Sequence, residues 1–467
     1  MNDYQLSING QRVPGASVIP VINPATGEVV AHAPVASAGQ LDQAVTAATA
    51  AFGPWSALTV AQRRERLLGL AAVLRNHADE LAMLLTLEQG KPLADARGEV
   101  AGAARFFEVF ASYDLPVRVI EDSQTRRVEA YARPLGVVGA IIPWNFPLLT
   151  VAFKLPFALL AGNTVILKPA PTTPLATLRF GELAQALLPP GVLNVLSDDN
   201  SLGPLISAHE GVRKITFTGA TTTGCKVFAA AAPTLKRLTL ELGGNDAAIV
   251  LDDVEPQVIA PALFRAAFYN AGQVCLAIKR LYVQAGVYDA VVEALAAQVR
   301  QVVLGDGLQE GTTMGPVQNR SQYEKLKELL DATQGRGVFV TGGRAADRPG
   351  YFIEPTLVRD IEDGTRLVDE EQFGPVLPII RVADEEDALR RANNSPCGLG
   401  ASVWSRDQAR ASAVAQRLQA GTVWINKHAE LVPSIPFSGA KQSGLGVEFA
   451  EAGLAEFTQQ QIISIAR

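Results

Sequence analysis

At 467 residues the chain is too long for one ordinary hydrophobic core, so two or three domains are expected. Its composition, 48% hydrophobic and 19% charged with 40 glycines, is that of a soluble globular enzyme. A net charge of −6 argues against a nucleic-acid or polybasic membrane role.

No run of eighteen apolar residues occurs, and Met1-Asn2-Asp3-Tyr4 lacks the basic start and apolar centre of a secretory leader. Cys225, Cys275 and Cys397 are too sparse, and odd in number, for a disulfide framework and suit a reducing cytoplasm. Four scattered histidines without a Cys-x-x-Cys argue against a structural zinc site, so no metal is expected.

Residues 5–35 read as short strands broken at the turns Asn9-Gly10 and Ala25-Thr26-Gly27. An Ala-rich helix spans Leu41 to Phe52. From Ala61 to Leu87 the leucines at 67, 70, 74, 81, 84 and 85 recur at helical spacing, predicting one or two long amphipathic helices that end at Gly90-Lys91-Pro92. Another helix runs from about Glu99 to Tyr113 and stops before Pro116. Arg126 to Arg133 alternates charged and apolar residues and reads as an exposed hairpin arm suited to subunit contacts.

Strands and helices then alternate. Gly136–Ile142, Thr164–Leu167, Val192–Leu196 and Lys214–Phe217 read as buried strands, with helices near 177–187 and from about Thr222. After Gly244 the pattern repeats: strand 247–251, helix 256–271, strand 280–284, helices 288–303 and 321–332, strands 376–380 and 401–404, helix 408–418 and strand 422–425. Such alternation predicts parallel sheets with ligands at the carboxyl ends of their strands. No repeat, low-complexity segment or long linker separates the two units.

Two short runs carry reactive chemistry: Glu241-Leu242-Gly243-Gly244 and Gly272-Gln273-Val274-Cys275. A thiol nucleophile needs an oxyanion donor, and a covalent intermediate needs a base to release it. The bland reading of a free cysteine is an inert buried residue, and Cys225 and Cys397 fit that reading better than Cys275, which sits at a turn. For Glu241 the bland reading is a solvated edge-strand carboxylate. Asn145, in Pro143-Trp144-Asn145-Phe146-Pro147 beyond a buried strand, either donates to an oxyanion or caps the next helix. Phe217-Thr218-Gly219-Ala220 enters a helix as a pyrophosphate-binding turn would, although it lacks the Gly-x-Gly-x-x-Gly fingerprint. Lys168 and Glu371 are candidate ribose ligands; their bland readings are a strand-end lysine and a surface carboxylate.

Taken together these segments resemble the aldehyde dehydrogenase superfamily. The resemblance rests on Pro-Trp-Asn-Phe-Pro (143–147), Lys168-Pro169-Ala170, Phe217-Thr218-Gly219, Glu241-Leu242-Gly243-Gly244, Gly272-Gln273-x-Cys275, Glu371-x-Phe373-Gly374-Pro375 and Pro436-Phe437-x-Gly439-x-Lys441-x-Ser443-Gly444. It covers essentially the whole chain, including Asn23-Pro24-Ala25-Thr26-Gly27.

The resemblance implies an α/β aldehyde dehydrogenase-like fold: a Rossmann-like NAD(P) domain (1–115 and 135–243), an α/β catalytic domain (244–445) and a small β arm for oligomerisation (116–134 and 446–467), assembling as a homodimer or homotetramer. It implies Cys275 as nucleophile, Glu241 as general base, and Asn145 with the Cys275 N–H as oxyanion donors. Lys154 and Glu448 match positions that relay protons or support the site. The implied cofactor contacts are Ile142, Pro143, Trp144, Lys168, Pro171, Phe217, Thr218, Gly219, Ala220, Leu242, Gly243, Glu371 and Phe373. The cofactor is NAD or NADP, with a slight lean to NAD. The reaction is oxidation of an aldehyde to the acid through a Cys275 thioester hydrolysed with Glu241 as base. A carboxylate at 241 favours hydrolysis over transfer to coenzyme A.

Three positions depart from the family pattern. Ala220 replaces a small hydroxyl residue, Ser438 replaces a glycine, and Pro171 stands where NAD-preferring members often carry a glutamate that would repel a 2′-phosphate. The implied substrate funnel is Phe146, Leu149, Thr150, Phe153, Tyr269, Val274, Leu276, Leu431 and Phe437, apolar and without arginine. It predicts an aromatic or medium-chain aliphatic aldehyde, because a buried substrate carboxylate would lack a cationic partner. Lys427 and His428 lie close enough in sequence to upset this argument. The alternatives are a succinic-semialdehyde type of dehydrogenase, a cofactor-free cysteine esterase and a non-catalytic binding protein.

Overall fold

The computed structural model describes residues 4–467. β1 (Leu6–Ile8) and β2 (Gln11–Val13) form a hairpin whose turn residues Asn9 and Gly10 both have positive φ, as a two-residue turn of this hand requires. A second hairpin pairs β3 (Ser17–Ile22) with β4 (Val29–Val35). Helices α1 (Ala38–Ser56) and α2 (Val60–Asn76) open on capping boxes, Ser37 with Gln40 and Thr59 with Gln62. α3 (Ala78–Gln89) stops at left-handed Gly90. α4 starts at Leu93 rather than Glu99 and runs to Ala111, because Pro92 supplies a φ that suits a helix start. The expected arm is a hairpin, β5 (Arg118–Asp122) and β6 (Arg126–Pro134).

The first α/β unit follows as β7 (Val137–Ile141), α5 (Pro147–Leu160), β8 (Thr164–Lys168), α6 (Leu175–Ala184), β9 (Leu193–Val195), α7 (Leu202–Ala208), β10 (Val212–Thr218), α8 (Thr221–Ala231) and β11 (Arg237–Glu241). Strands β7, β8 and β9 are buried along their whole length, which is why they read as unbroken apolar runs. The parallel order is β9-β8-β7-β10-β11, and β1 adds antiparallel beside β9. Strand order therefore reverses between β7 and β10, and a crevice opens beyond their carboxyl ends.

The second unit comprises β12 (Asp246–Val250), α9 (Pro256–Phe268), β13 (Ile278–Gln284), α10 (Tyr288–Val299), α11 (Arg320–Thr333), β14 (Val338–Thr341), β15 (Thr356–Arg359), α12 (Arg366–Asp369), β16 (Val376–Val382), α13 (Glu385–Asn393), β17 (Cys397–Gly398), β18 (Gly400–Trp404), α14 (Gln408–Ala415) and β19 (Thr422–Ile425). Its sheet runs β14-β15-β16-β13-β12-β18-β19, parallel except for edge strand β14. The chain closes with β20 (Ala440–Lys441), β21 (Gly444–Leu445), α15 (Ala450–Ala455) and β22 (Thr458–Ala466). β22 pairs with β6 over its full length and completes a three-stranded arm sheet.

Leu242–Asn245 is the only chain between β11 and β12, so the Gly243-Gly244 turn is also the bridge between the two sheets. β21 returns antiparallel to β11 and pairs Gly444 with Glu241. Glu241 consequently lies inside the sheet, and the solvated edge-strand reading fails. Among the described residues no helix is long and apolar enough to cross a membrane.

Candidate active site

The loop that delivers Cys275 leaves α9 through three successive left-handed residues: Asn270, Ala271 and Gly272 (φ 51, 55 and 69). Ala271 is held there at a steric cost of about 1–2 kcal/mol. A Cβ on Gly272 would lie 2.2 Å from the Gly374 carbonyl oxygen, so the tight approach admits only glycine. Hydrogen bonds hold this backbone. Lys279 Nζ donates to the carbonyls of Val274 (2.9 Å) and Cys275 (2.6 Å). Gln273 Nε2 donates to Asn270 O at 2.9 Å, and its Oε1 accepts from Gln318 N at 2.8 Å. His428 Nε2 donates to Leu276 O at 2.8 Å. The nucleophile loop is thereby pre-set before any substrate arrives.

The Cys275 thiol lines a cavity of about 500 Å³, with its pKa pushed up to about 12 by burial. Glu241 faces the same cavity with both carboxylate oxygens buried and free of partners. Burial, then the charge of Glu448, raises its pKa well above the usual carboxylate range, while Lys154 opposes the shift. Lys154, wholly buried in α5, donates to Glu448 Oε1 (2.5 Å) and to Thr216 Oγ1 (3.2 Å). With Lys154 engaged by Glu448, burial and the neighbouring carboxylate favour a protonated Glu241 that can release or take up a proton in the cavity.

Asn145 stands at the mouth of β7 and is nearly buried. Its Nδ2 donates to Gln273 O at 2.9 Å, and the amide has a second N–H to offer. Its carbonyl accepts from Lys91 Nζ (3.0 Å) and Asn270 Nδ2 (3.1 Å), which ties the Pro-Trp-Asn-Phe-Pro turn to the nucleophile loop. The bland helix-capping reading fails, since Phe146 is the residue at the start of α5.

The expected cofactor residues gather at the carboxyl ends of β7, β8, β10 and β11. Pro143, Trp144, Thr218, Gly219, Ala220, Leu242, Gly243, Glu371 and Phe373 line the cavity, while Ile142, Lys168, Pro171 and Phe217 are not among its lining residues. Trp144 and Phe373 meet edge to face at 5.3 Å. Several details fit a dinucleotide. Thr218 Oγ1 is buried without a partner. Ala220 begins α8 with no side-chain cap, leaving the helix N–H groups free. A Cβ on Gly243 would come 2.6 Å from Glu371 Oε2, and one on Gly224 would strike Leu242 at 2.3 Å, so glycines open the cleft and let helix and strand close up. Glu371, which the bland reading put on the surface, accepts from Gly244 N at 3.0 Å. Lys168 Nζ is 2.6 Å from Asp198 Oδ1, a partner that the sequence reading did not name.

All the expected funnel residues, Phe146, Leu149, Thr150, Phe153, Tyr269, Val274, Leu276, Leu431 and Phe437, line the cavity. Phe146 and Tyr269 stack at 6.1 Å. Gly98, Gly102 and Phe106 of α4, Gln322 and Lys325 of α11, and Ala429 also line the wall and were missed, because their spacing gives no sign that they face a ligand. Glu99 also reaches the wall, but its carboxylate accepts from Leu148 N and Leu149 N and pairs with Lys91. Lys427 is exposed and paired with Glu430, and His428 points at Ser402 and Leu276; neither lines the cavity. One inert-cysteine expectation needs correction: Cys225 is exposed, because it sits on the solvent side of α8, while Cys397 is half-buried. Among the described residues no cluster of metal-ligating side chains occurs.

A parallel sheet whose strand order reverses between β7 and β10, with a cavity that brings one thiol and one unpartnered carboxylate together, is the architecture of an α/β enzyme with a dinucleotide crevice. The sequence model of the aldehyde dehydrogenase family matches residues 13–463. The mitochondrial succinate-semialdehyde dehydrogenase of Arabidopsis thaliana is 40% identical over 96% of this chain and 86% of its own. Phenylacetaldehyde dehydrogenase of Pseudomonas fluorescens is 38% identical over 99% of this chain and 96% of its own. The crystal structure of Staphylococcus aureus betaine aldehyde dehydrogenase with NAD+ superposes with a TM-score of 0.95 at 32% identity, covering 99% of this chain and 94% of that one. The chain belongs to the aldehyde dehydrogenase family.

Proposed function

We propose that this NAD(P)-dependent aldehyde dehydrogenase oxidises an aromatic or medium-chain aliphatic aldehyde to its acid, with Cys275 as nucleophile and Glu241 as base. The apolar funnel carries the substrate reading. Phe146 stacks on Tyr269 in its wall, Lys91 behind Phe146 is paired with Glu99, and Lys325, which also lines the cavity, is engaged by the Glu371 carbonyl. A carboxylate-bearing substrate would be desolvated there without a counter-charge. The named relatives act on both kinds of aldehyde, so a semialdehyde substrate is the second reading.

The steps follow from what each side chain can do. Cys275 loses its proton and its sulfur adds to the aldehyde carbon. The oxyanion accepts hydrogen bonds from the Asn145 amide and the Cys275 N–H, both neutral donors. When bound, the nicotinamide cofactor supplies the hydride acceptor for the oxidation. Cys275 is left as a thioester, and Glu241 takes a proton from the water that opens it. Burial, then Glu448, makes Glu241 hold that proton, and Lys154 opposes them. Lys168 and Glu371 meet the two riboses.

The arm sheet exposes Val119, Ile120, Ile462 and Ile465, which fits a surface that pairs with a second copy in a homodimer or homotetramer. The absence of paired cysteines fits a cytoplasmic setting.

A panel of benzaldehyde, hexanal and succinic semialdehyde, assayed with the Cys275→Ala and Glu241→Gln variants, tests the whole reading. Benzaldehyde or hexanal should give the higher kcat/KM. Cys275→Ala should lose turnover yet bind cofactor, and Glu241→Gln should stall after one burst of reduced cofactor. A clear preference for succinic semialdehyde would overturn the substrate class, and turnover by Cys275→Ala would move the nucleophile elsewhere.

A further inference from the structure

We infer that Asp198 makes this enzyme select NAD over NADP, an inference that rests on placing the adenosine ribose at Lys168. In a doubly wound sheet the ribose hydroxyls meet a side chain near the carboxyl end of the second strand. That strand is β8, and it ends on Lys168. A lone ammonium there would welcome a 2′-phosphate, and Pro171 contributes no carboxylate to oppose it.

Lys168 is not alone. Its Nζ lies 2.6 Å from Asp198 Oδ1 and also donates to Pro169 O at 3.1 Å. The two side chains are 5% and 0% exposed. Asp198 Oδ2 accepts the Leu202 N–H at 2.9 Å, so the carboxylate is pinned on both of its oxygens. The next residue, Asp199, is a second carboxylate, kept below the usual range by hydrogen bonds from Ser201. The buried Lys168 ammonium is thus already matched by the buried Asp198 carboxylate, with the exposed Asp199 next along the chain.

A 2′-phosphate brings nearly two further negative charges into this setting. Lys168 could turn to meet it only by leaving a buried carboxylate uncompensated. Ribose hydroxyls suit the pair far better, because a neutral hydroxyl can accept from the ammonium without adding charge beside Asp198. Asp198 therefore opposes a 2′-phosphate by its charge, from the loop that follows β9 rather than from the end of β8. It is a specificity-determining residue.

The test is equilibrium binding, followed by quenching of tryptophan fluorescence, for NAD, NADP, 5′-AMP and 2′,5′-ADP. Wild-type protein should hold NAD at least about tenfold more tightly than NADP, with the same order for the two fragments. Asp198→Asn should close most of that gap. Asp198→Ser, which keeps an acceptor for the Leu202 N–H, should close it equally and guards against a merely disordered loop. Equal wild-type affinities, or a ratio unmoved in both variants, would overturn the role of Asp198. Lys168→Met separates the two layers of the argument. If it leaves both dinucleotides bound as before, the ribose does not sit at Lys168 and the underlying placement fails. If it weakens both while the Asp198 variants keep the wild-type ratio, only the role of Asp198 fails.

Discussion

At the scale of single residues the site is governed by protons. Glu241 is buried with no hydrogen-bond partner, and its raised pKa keeps it neutral over a range in which an ordinary glutamate is ionised. The Cys275 thiol, at about 12, is also held in its neutral form. Both groups act by losing a proton, so activity is expected to rise with pH. The rate of thioester hydrolysis, measured after the burst across a pH series, should climb with pH as Glu241 ionises. A flat profile would mean that another group activates the water. Cys275, Glu241 and Asn145 were legible in the sequence because each sits in a short run with turn residues around it. Lys279, Gln273 and Asp198 were not, since their partners are carbonyls and side chains that only the folded chain brings within 3 Å.

At the scale of elements, two carboxylates on the N-terminal helices hold the helices of the cofactor domain. Glu99 of α4 accepts from Leu148 N and Leu149 N at the start of α5, and Glu88 of α3 accepts from Leu175 N (2.6 Å) and Ala176 N (3.0 Å) at the start of α6. Neither helix has a side-chain cap of its own. Burial raises the pKa of Glu88 to about 8. Glu99→Ala would strip the first turn of α5 and leave Lys91 buried without its counter-ion. A loss of about 3–5 kcal/mol in stability is expected, read from urea unfolding at neutral pH. A change below 1 kcal/mol would show that water replaces the carboxylate. This long-range capping explains why α5 went unread in the sequence: Phe146-Pro147 carries no capping residue. Strands β14 and β15 and helix α13 were missed because four or nine residues hold too few apolar positions to show a period.

At the scale of the whole molecule, the arm stands apart from the two sheets and offers its own surface. β22 is a nine-residue edge strand, and Ile462 and Ile465 on it are 50% and 45% exposed. An edge that long and apolar is a hazard unless another chain covers it. Ile462→Asp should therefore lower the mass seen by sedimentation toward that of one chain, while secondary structure stays intact; an unchanged mass would place the interface elsewhere. The sequence by itself determined the alternation of strands and helices and the family, and it named the candidate reacting groups, because periodicity, turn residues and short motifs are local. Tertiary structure decided what those groups experience. It carried Glu241 from an apparent edge to the inside of a sheet, made the Gly243-Gly244 turn the bridge between two sheets, and set Asp198 against Lys168. Burial and counter-charge depend on residues distant along the chain, and they settle the proton on Glu241 and the charge at Lys168.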